Sequence, residues 1–277
     1  MTTVVAWAAY DNRGPTSVYM ASDSRISWNG NTAWDYARKV FSCSNFPDLI
    51  AYVGEVLFTV QVISQWVSLS DSGEVFERDS SPEQRFESLC TLVKRSFASY
   101  PKPLAQDNFS IVFCSLNQTR NIFVGKLNRK DSQWSIEHPK IPNKSDLILV
   151  EGSGKSSFTG IYSKFEKSEI GRTSRAVYSA FCIHVEKGLD KSTGAPPQLA
   201  AIYKKGISKP LGVVWKGKSY IFGIEVSDSE RLGISDWRNY CFELCDARTL
   251  KIKVGAQRQP IPKGLELEKF GLVKDSL

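Results

Sequence analysis

Histidines and paired cysteines, from which many metal centres and active sites are built, are scarce in this sequence. The chain has only two histidines, His138 and His184, and its six cysteines are scattered without a Cys-x-x-Cys pair. A zinc site needs clustered cysteines and histidines at close spacing, so the sequence predicts no metal and no cofactor. Cys241 and Cys245, four residues apart in a partly apolar stretch, are predicted to be buried free thiols.

Long apolar runs and targeting signals are also missing. No apolar stretch approaches the length of a transmembrane helix. The N-terminal apolar run has no basic residues ahead of it and is broken at once by Asp11 and Arg13, which fits neither a signal peptide nor a transit peptide. The sequence therefore predicts a soluble, cytoplasmic protein without a membrane partner.

The charge of the chain is positive but dispersed. Thirty-six Lys and Arg residues against 29 Asp and Glu residues give a formal net charge of +7. Basic and acidic residues alternate, without a run of five or more like charges. Such a modest, mixed balance gives little support to nucleic acid as a partner.

Two familiar catalytic signatures are incomplete. The Gly-Ser-Gly-Lys-Ser stretch at 152–156 resembles the end of a phosphate-binding loop, but the glycine required five residues before Gly154 is replaced by Leu149. We interpret this stretch as a glycine turn that lets a strand pack close to a helix. No Gly-x-Ser-x-Gly elbow occurs, and His184 falls on a predicted helix beside apolar residues, which favours a structural role.

The apolar pattern predicts strands, two helices, strands, two helices and strands. With 277 residues, 42% of them hydrophobic, the chain can form a full buried core. Predicted strands cover 3–8, 17–21, 40–41, 49–53, 109–115, 121–126, 147–150, 199–204, 211–216 and 219–226, and predicted helices begin near 55, 81, 156 and 172. This order is not a parallel βαβ alternation. It predicts an α+β fold, an αββα sandwich of two antiparallel sheets packed face to face between helix layers.

The N-terminus offers a distinctive nucleophile. The initiator methionine is normally removed when a small residue follows, which would make Thr2 the first residue. An N-terminal threonine combines a hydroxyl nucleophile with its own α-amine as the base. A buried lysine that is kept charged by a carboxylate would lower the pKa of both groups. Asp23, at a strand end, and Lys39, before the next strand, offer such a pair.

Five places in the chain together resemble proteasome β-subunits and their bacterial relatives, the peptidase subunits of two-component ATP-dependent proteases. They are Thr2-Thr3-Val4-Val5, Ala21-Ser22-Asp23-Ser24-Arg25, Lys39-Val40, Gly54, and the pair Gly152-Ser153-Gly154 and Asp190-Lys191-Ser192-Thr193-Gly194. That family consists of N-terminal-nucleophile hydrolases with an αββα sandwich. The resemblance assigns residues 1–226 to one such domain and leaves 227–277 as a C-terminal extension of unknown role.

The resemblance implies roles for the residues nearest the N-terminus. Thr2 would be the nucleophile and its amine the general base. Lys39 would tune that amine, with Asp23 and Arg25 holding Lys39 in place. The Gly54 amide would stabilise the tetrahedral oxyanion.

The resemblance also implies that Ser153, Asp190 and Thr193 orient the amine and a proton-shuttling water. Thr193 stands where the family usually has serine, which preserves the hydroxyl. For each supporting residue a local structural role is the alternative. Asp23 would cap a turn, Ser153 would cap the following helix, and Asp190 would stabilise a loop at a helix end.

The implied function is that of a threonine-dependent endopeptidase. Relatives form rings of identical subunits and receive polypeptide substrates from a separate ATPase, so the resemblance implies such an assembly and such a partner. Two alternatives are a proteasome-like structural subunit without catalytic activity and an N-terminal-nucleophile amidase that acts on a small amide. A nucleotide-binding interpretation of 152–156 ranks last.

Overall fold

The chain folds into four helices and three sheets within the part that the computed structural model describes. The described residues are 2–28, 32–73, 75–77, 79–101, 108–117, 119, 121–204, 206, 208–227, 233–234 and 236–258. The first half contains β1 (Thr3–Asp11), β2 (Gly14–Ser22), β3 (Ile26–Trp28), β4 (Thr32–Trp34), β5 (Val40–Ser42), β6 (Asp48–Gly54), α1 (Leu57–Ser72), α2 (Pro82–Ala98), β7 (Phe109–Leu116), β8 (Ile122–Lys130) and β9 (Gln133–Glu137). The second half contains β10 (Asp146–Gly152), α3 (Lys155–Glu166), α4 (Ser174–Lys187), β11 (Gln198–Tyr203), β12 (Ser208–Trp215), β13 (Lys218–Ile221), β14 (Ile224–Glu225), β15 (Trp237–Arg238) and β16 (Leu244–Cys245).

The strands pair mainly in antiparallel fashion, which confirms the predicted α+β class. The larger sheet has the order β10-β1-β2-β11-β12-β13-β14, with β15 and β16 attached beside β12. The smaller sheet has the order β5-β6-β7-β8-β9, and β3 and β4 form a separate hairpin. The pairing of β15 with β12 is parallel, so the larger sheet is not antiparallel throughout as predicted.

Alternating side chains on the central strands divide the core into three apolar clusters. On β1, Val5 and Trp7 pack against α3 and α4, whereas Val4 faces the smaller sheet. On β6, Leu49 faces the larger sheet, whereas Ile50 packs against α1 and α2. One cluster therefore lies between the two sheets, and each of the other two lies between a sheet and a pair of helices.

The helix start predicted at Ser81 is confirmed by its capping geometry. The Ser81 hydroxyl accepts a hydrogen bond from the Gln84 amide at 3.3 Å, and the Gln84 side chain accepts one from the Ser81 amide at 2.8 Å. This reciprocal capping box, followed by Pro82 in the first turn, satisfies amides that a helix leaves without partners. It orients α2 across the outer face of the smaller sheet.

The described part of 227–277 packs into the same core. Trp237 is fully buried over Gly212, where a Cβ would overlap its indole ring. Glu243 forms a buried ion pair with Arg175 of α4, with 2.8 Å between Oε1 and Nη2. The described part of this segment therefore completes the larger sheet and its contact with α4.

Two differences from the predicted elements have physical causes. The strands predicted at 3–8 and 17–21 are longer in the structure, because β1 and β2 pair as far as Asp11 and Gly14 and leave a two-residue turn, after which Gly14 has φ of 116°. Strand β9 was not predicted, although Trp134 and Ile136 alternate with polar residues; it is a five-residue edge strand whose side chains are mostly exposed.

Two further observations concern cysteines and membranes. All six cysteines are buried and free, which confirms the prediction for Cys241 and Cys245. Among the described residues, no helix is both long enough and apolar enough to cross a membrane.

Candidate active site

The two threonines at the start of β1 meet different surroundings. Thr2 is 3% exposed and Thr3 is fully buried. The Thr2 hydroxyl meets Lys39, whereas the Thr3 hydroxyl meets His184 on α4. Because successive side chains of an extended chain point to opposite sides, the two hydroxyls belong to two separate polar clusters.

The first cluster is centred on the ammonium group of Lys39. Lys39 Nζ donates hydrogen bonds to Thr2 Oγ1 at 2.6 Å, to Asp23 Oδ2 at 3.0 Å and to the main-chain carbonyl of Arg25. The Lys39 and Asp23 side chains are both 0% exposed. All three ammonium protons are therefore used, and one of them is directed at a hydroxyl.

The Asp23 carboxylate is held by main-chain amides from three segments. It accepts hydrogen bonds from the amides of Thr3 at 3.0 Å, Arg25 at 3.1 Å and Gly194 at 3.2 Å. These bonds compensate for the loss of hydration on burial, which an isolated carboxylate could not tolerate. Asp23 therefore joins β1, the end of β2 and the loop before β11 at one point.

Burial and charge act in opposite directions on Lys39. Burial lowers the pKa of Lys39, and the neighbouring carboxylate of Asp23 opposes that shift, with weaker help from Asp190 and Asp35. The buried pair thus keeps a cation beside Thr2 Oγ1. A cation at this distance stabilises the deprotonated form of a hydroxyl.

Gln198, at the start of β11, fixes the chain on both sides of the ion pair. Its Nε2 donates to the carbonyl of Asp23 at 3.2 Å, to Ser24 Oγ at 2.9 Å and to the carbonyl of Ala37 at 2.6 Å. Its Oε1 accepts from the Lys39 amide at 2.9 Å. Sequence reasoning missed Gln198, because nothing local to 198 indicates that two distant loops converge on it.

The second cluster is centred on Asp190. Its Oδ2 accepts hydrogen bonds from the hydroxyls of Ser153 and of Thr193, the latter at 2.9 Å, and its Oδ1 accepts from the Ser192 amide at 3.0 Å. Burial raises the pKa of Asp190, but the hydrogen bonds from Ser153, Ser192 and Thr193 outweigh it, so that the net shift is downward. Asp190 is thus a carboxylate stabilised in its ionised form.

A glycine turn brings the two clusters to the same strand end. Gly152 has φ of 105°, and a Cβ there would overlap the carbonyl of Thr2. A Cβ at Gly154 would overlap Thr3 Oγ1 and would lie 2.6 Å from His184 Nε2. The stretch at 152–156 therefore has the close-packed turn geometry expected from its glycines.

Arg25 and Gly54 are placed differently from the other predicted site residues. Arg25 touches Lys39 only through its main-chain carbonyl, while its guanidinium pairs with Asp35 at 2.8 and 2.9 Å. Gly54 ends β6 opposite Phe109 with φ of 97°. Among the described residues, Gly54 makes no hydrogen bond to Thr2, Asp23 or Lys39.

Of the eight predicted residues, the structure thus brings six into two connected clusters. Thr2, Asp23 and Lys39 form one, and Ser153, Asp190 and Thr193 form the other. Thr3 links them, because its amide donates to Asp23 and its hydroxyl lies 2.8 Å from Thr193 Oγ1. Sequence reasoning assigned Thr3 no role, and the alternation of side chains along a strand is the signal that could have placed its hydroxyl away from that of Thr2.

Comparison with known proteins leaves the family of this chain open. No protein-family model matches it, and no curated protein matches it significantly in sequence. The geometry around Thr2 and Lys39 is consequently the basis on which a function can be proposed.

Proposed function

We propose that this chain is a threonine-dependent amide hydrolase, an N-terminal-nucleophile endopeptidase of the proteasome β-subunit type, with Thr2 as the nucleophile. The observation that carries the proposal is the hydrogen bond of 2.6 Å from Lys39 Nζ to Thr2 Oγ1, made by a fully buried Lys39–Asp23 pair. The chemistry requires a free α-amine on Thr2. Met1 must therefore be removed in the active protein.

In the proposed reaction, Thr2 supplies both nucleophile and base. Its α-amine takes the hydroxyl proton as Oγ1 attacks the carbonyl carbon of the substrate amide. Collapse of the tetrahedral intermediate breaks the C–N bond, and the leaving amine takes that proton. The resulting ester on Thr2 is then hydrolysed by water. The positive charge of Lys39 lowers the pKa of the hydroxyl and of the amine, which favours both proton transfers at neutral pH.

The layering of the core supports an αββα sandwich of the N-terminal-nucleophile type. Its three apolar clusters lie between α3–α4 and the larger sheet, between the two sheets, and between the smaller sheet and α1–α2. Thr2 directly precedes the first residue of β1, which lies between β10 and β2 in the larger sheet.

The supporting roles follow from the two clusters. Ser153, Asp190 and Thr193 would hold the amine and a water molecule on the side opposite Lys39. The Gly54 amide would donate to the developing oxyanion, as in preorganised oxyanion holes. The carbonyl of Arg25, rather than its guanidinium, would help to hold Lys39.

The hairpin of β3 and β4 supports a polypeptide as the substrate. Trp28, Trp34 and Tyr36 are each about half exposed, at 50%, 49% and 49%. The hairpin register places Trp28 and Trp34 on one face, since Ile26 pairs with Trp34. This aromatic surface begins at Trp28, three residues after Arg25, and would bind apolar side chains that flank the scissile bond.

The ring of identical subunits and the separate ATPase rest on the family resemblance alone. A ring predicts a particle several times the 31.0 kDa of one chain. Mass photometry of the purified protein measures this directly, and a monomer would remove the ring from the proposal without affecting the chemistry at Thr2.

Hydrolysis by matched variants at position 2 tests the proposed function. Wild-type protein should cleave fluorogenic peptides, Thr2→Ser should retain part of that activity, and Thr2→Ala should lose about 10⁴-fold or more. A parallel set of small acyl amides separates an endopeptidase from a small-molecule amidase. Full activity of Thr2→Ala, or of protein whose intact mass includes Met1, would contradict the nucleophile assignment.

A further inference from the structure

His184 lies at the junction between the helix layer and the candidate site. It belongs to the last turn of α4 and is 0% exposed. Its Nε2 is 3.0 Å from Thr3 Oγ1, and its Nδ1 is 3.3 Å from Ser157 Oγ. The mechanism proposed above assigns no role to this imidazole.

A continuous chain of hydrogen bonds runs from α3 through His184 to Asp190. Its successive links are Gly154 O–Ser157 Oγ, Ser157 Oγ–His184 Nδ1, His184 Nε2–Thr3 Oγ1, Thr3 Oγ1–Thr193 Oγ1, Thr193 Oγ1–Asp190 Oδ2 and Asp190 Oδ2–Ser153 Oγ. Each hydroxyl has one proton to donate, and a neutral imidazole has one. The number of protons therefore restricts the direction in which each link can be made.

The carboxylate at one end sets that direction. Ionised Asp190 can only accept, so Thr193 donates its single proton to Asp190. Thr3 must then donate to Thr193, since Thr193 has no second proton. Thr3 accordingly has none left for His184, and the link between them needs a proton on His184 Nε2.

The opposite side of the ring agrees with this assignment. Ser157 Oγ donates to the Gly154 carbonyl at 3.0 Å or to His184 Nδ1 at 3.3 Å, so Nδ1 can remain without a proton. Burial lowers the pKa of His184, although Asp23 and Asp190 raise it, which leaves the imidazole neutral at neutral pH. When the neutral ring carries its proton on Nε2 and Ser157 donates to Gly154, only the hydrogen bond of 3.3 Å between Ser157 Oγ and His184 Nδ1 is lost.

We propose that His184 is a positioning residue whose Nε2–H tautomer directs the relay His184→Thr3→Thr193→Asp190 toward the carboxylate. This inference rests on the proposed function for its kinetic consequence, but not for the tautomer itself. With the opposite tautomer, Thr3 would donate to His184, and Thr193 would have to donate to Thr3. Asp190 would then lose one of its two hydroxyl donors.

The relay acts on the Lys39 cluster through the loop before β11. Asp190 accepts from the amide of Ser192 and from the hydroxyl of Thr193, and the next amide, that of Gly194, donates to Asp23 at 3.2 Å. A change in the bonding of Asp190 would therefore shift the loop that holds Asp23.

Few charged groups surround the imidazole. Asp23 at the end of β2 and Asp190 after α4 are the charges that act on it. Helix α3 presents Ser157 and the ring of Phe158, whose centroid is 6.1 Å away. The C-terminal end of α4 also favours a cation, but burial outweighs these effects in the net downward shift of the pKa.

Nitrogen NMR of histidine tests the tautomer without any activity measurement. Since the chain has only two histidines, ¹⁵N-histidine labelling gives two ring systems, and His138→Gln assigns the one that remains to His184. We expect a protonated Nε2 and an unprotonated Nδ1 at neutral pH. A proton on Nδ1 alone would overturn the inference and would leave the hydrolase proposal intact.

Kinetics of three variants test the positioning role. His184→Phe removes the donor to Thr3 but keeps a ring, so the buried Thr3 hydroxyl loses one partner, and kcat should fall by about tenfold while KM stays within about twofold. His184→Gln, whose amide can donate to Thr3, should restore the wild-type kcat, and His138→Gln should not change it. An unchanged kcat in His184→Phe, or His184→Gln behaving like His184→Phe, would contradict the role. Absence of hydrolysis by wild-type protein would instead refute the proposed function.

Discussion

Two of the buried ion pairs among the described residues, Asp48–Arg85 and Asp23–Lys39, differ in what the cation touches. In the first pair, Arg85 donates from Nε to Asp48 Oδ2 at 2.6 Å and from Nη2 to Asp48 Oδ1 at 2.8 Å. It also donates to Ser115 Oγ and to the main-chain carbonyl of Ser80. In the second, Lys39 divides its protons between Asp23, a carbonyl and the hydroxyl of Thr2. Arg85 is therefore fully engaged in joining α2 to the smaller sheet, whereas Lys39 directs one donor at the hydroxyl of Thr2.

The comparison identifies the feature of a buried ion pair that suggests a catalytic rather than a structural role. Both pairs incur a desolvation cost that their mutual attraction offsets only in part. Arginine stays charged under all ordinary conditions, so the Asp48–Arg85 pair is suited to a structural role. Lysine responds to burial with a lowered pKa, and Lys39 lies beside Thr2, the proposed nucleophile. The proposal of a catalytic role for the Lys39 pair therefore rests on a titratable cation that contacts a hydroxyl, and not on burial itself.

Replacing each cation by methionine should give the largest difference in activity between the two ion pairs. Lys39→Met should reduce kcat/KM by about 10³-fold, because the Thr2 hydroxyl and amine lose the charge that tunes them. Arg85→Met should leave the kcat of the folded fraction within about threefold, because no group near Thr2 contacts it. Peptide hydrolysis with active-site titration measures both. Equal losses of kcat in the two variants would remove the distinction.

The same substitutions should affect stability alike. Either leaves a buried carboxylate without its partner, which costs about 3–5 kcal/mol of unfolding free energy. Chemical denaturation measures this cost. If Arg85→Met does not fold, Arg85→Lys serves instead, since it keeps the charge but loses the bidentate geometry and should destabilise by a smaller amount.

Alkaline pH should separate stability from activity at Lys39. Its pKa in the folded protein lies below the ordinary value of 10.5, so between these two values the unfolded chain binds more protons. The Lys39 contribution to unfolding free energy therefore rises with pH across that window. Activity should fall across the same window, because Thr2 loses its cationic neighbour. Chemical denaturation and kcat/KM, each measured against pH and compared with Lys39→Met, give the stability curve and the activity curve. Two curves that rise or fall together across the window would contradict the role of the Lys39 charge.

Arg25 should show the smallest effect. Its guanidinium pairs with Asp35 near the surface, with side chains 28% and 38% exposed, and only its carbonyl meets Lys39. Arg25→Gln should therefore change kcat/KM by less than about fivefold and stability by about 1 kcal/mol or less. Asp35→Asn is the matched control and should behave in the same way. A loss as large as that of Lys39→Met would show that the guanidinium itself supports the lysine.

The sequence predicted elements with strong periodicity and the residues adjacent to them. The apolar alternation of β1 and β6 and the capping sequence at Ser81 are local signals, and these elements formed as predicted. Strand β9 was missed although Trp134 and Ile136 alternate with polar residues, because this pattern spans only five residues. The burial of Trp237 was missed for a different reason, since only the packed sheet reveals the space above Gly212.

The candidate site was predictable where chemistry and spacing coincide. Asp23 and Lys39 were singled out as a charged pair and meet at 3.0 Å. Gln198 and His184 carry no such signal, because their contacts with Lys39 and Thr3 join residues that are more than 150 positions apart in the chain. Arg25 illustrates a further limit, since a residue can be close to the site while only its main chain takes part.

Covalent labelling of the intact protein tests directly whether Thr2 is the nucleophile. An epoxyketone or β-lactone probe, followed by mass spectrometry of the whole chain and of its N-terminal peptide, reports the loss of Met1 and the reactivity of Thr2 together. We predict one adduct per chain on a peptide that begins with Thr2, absent from Thr2→Ala and formed far more slowly in Lys39→Met. Hydrolytically active protein that retains Met1, or that carries the adduct on another residue, would contradict the assignment of Thr2 as the nucleophile.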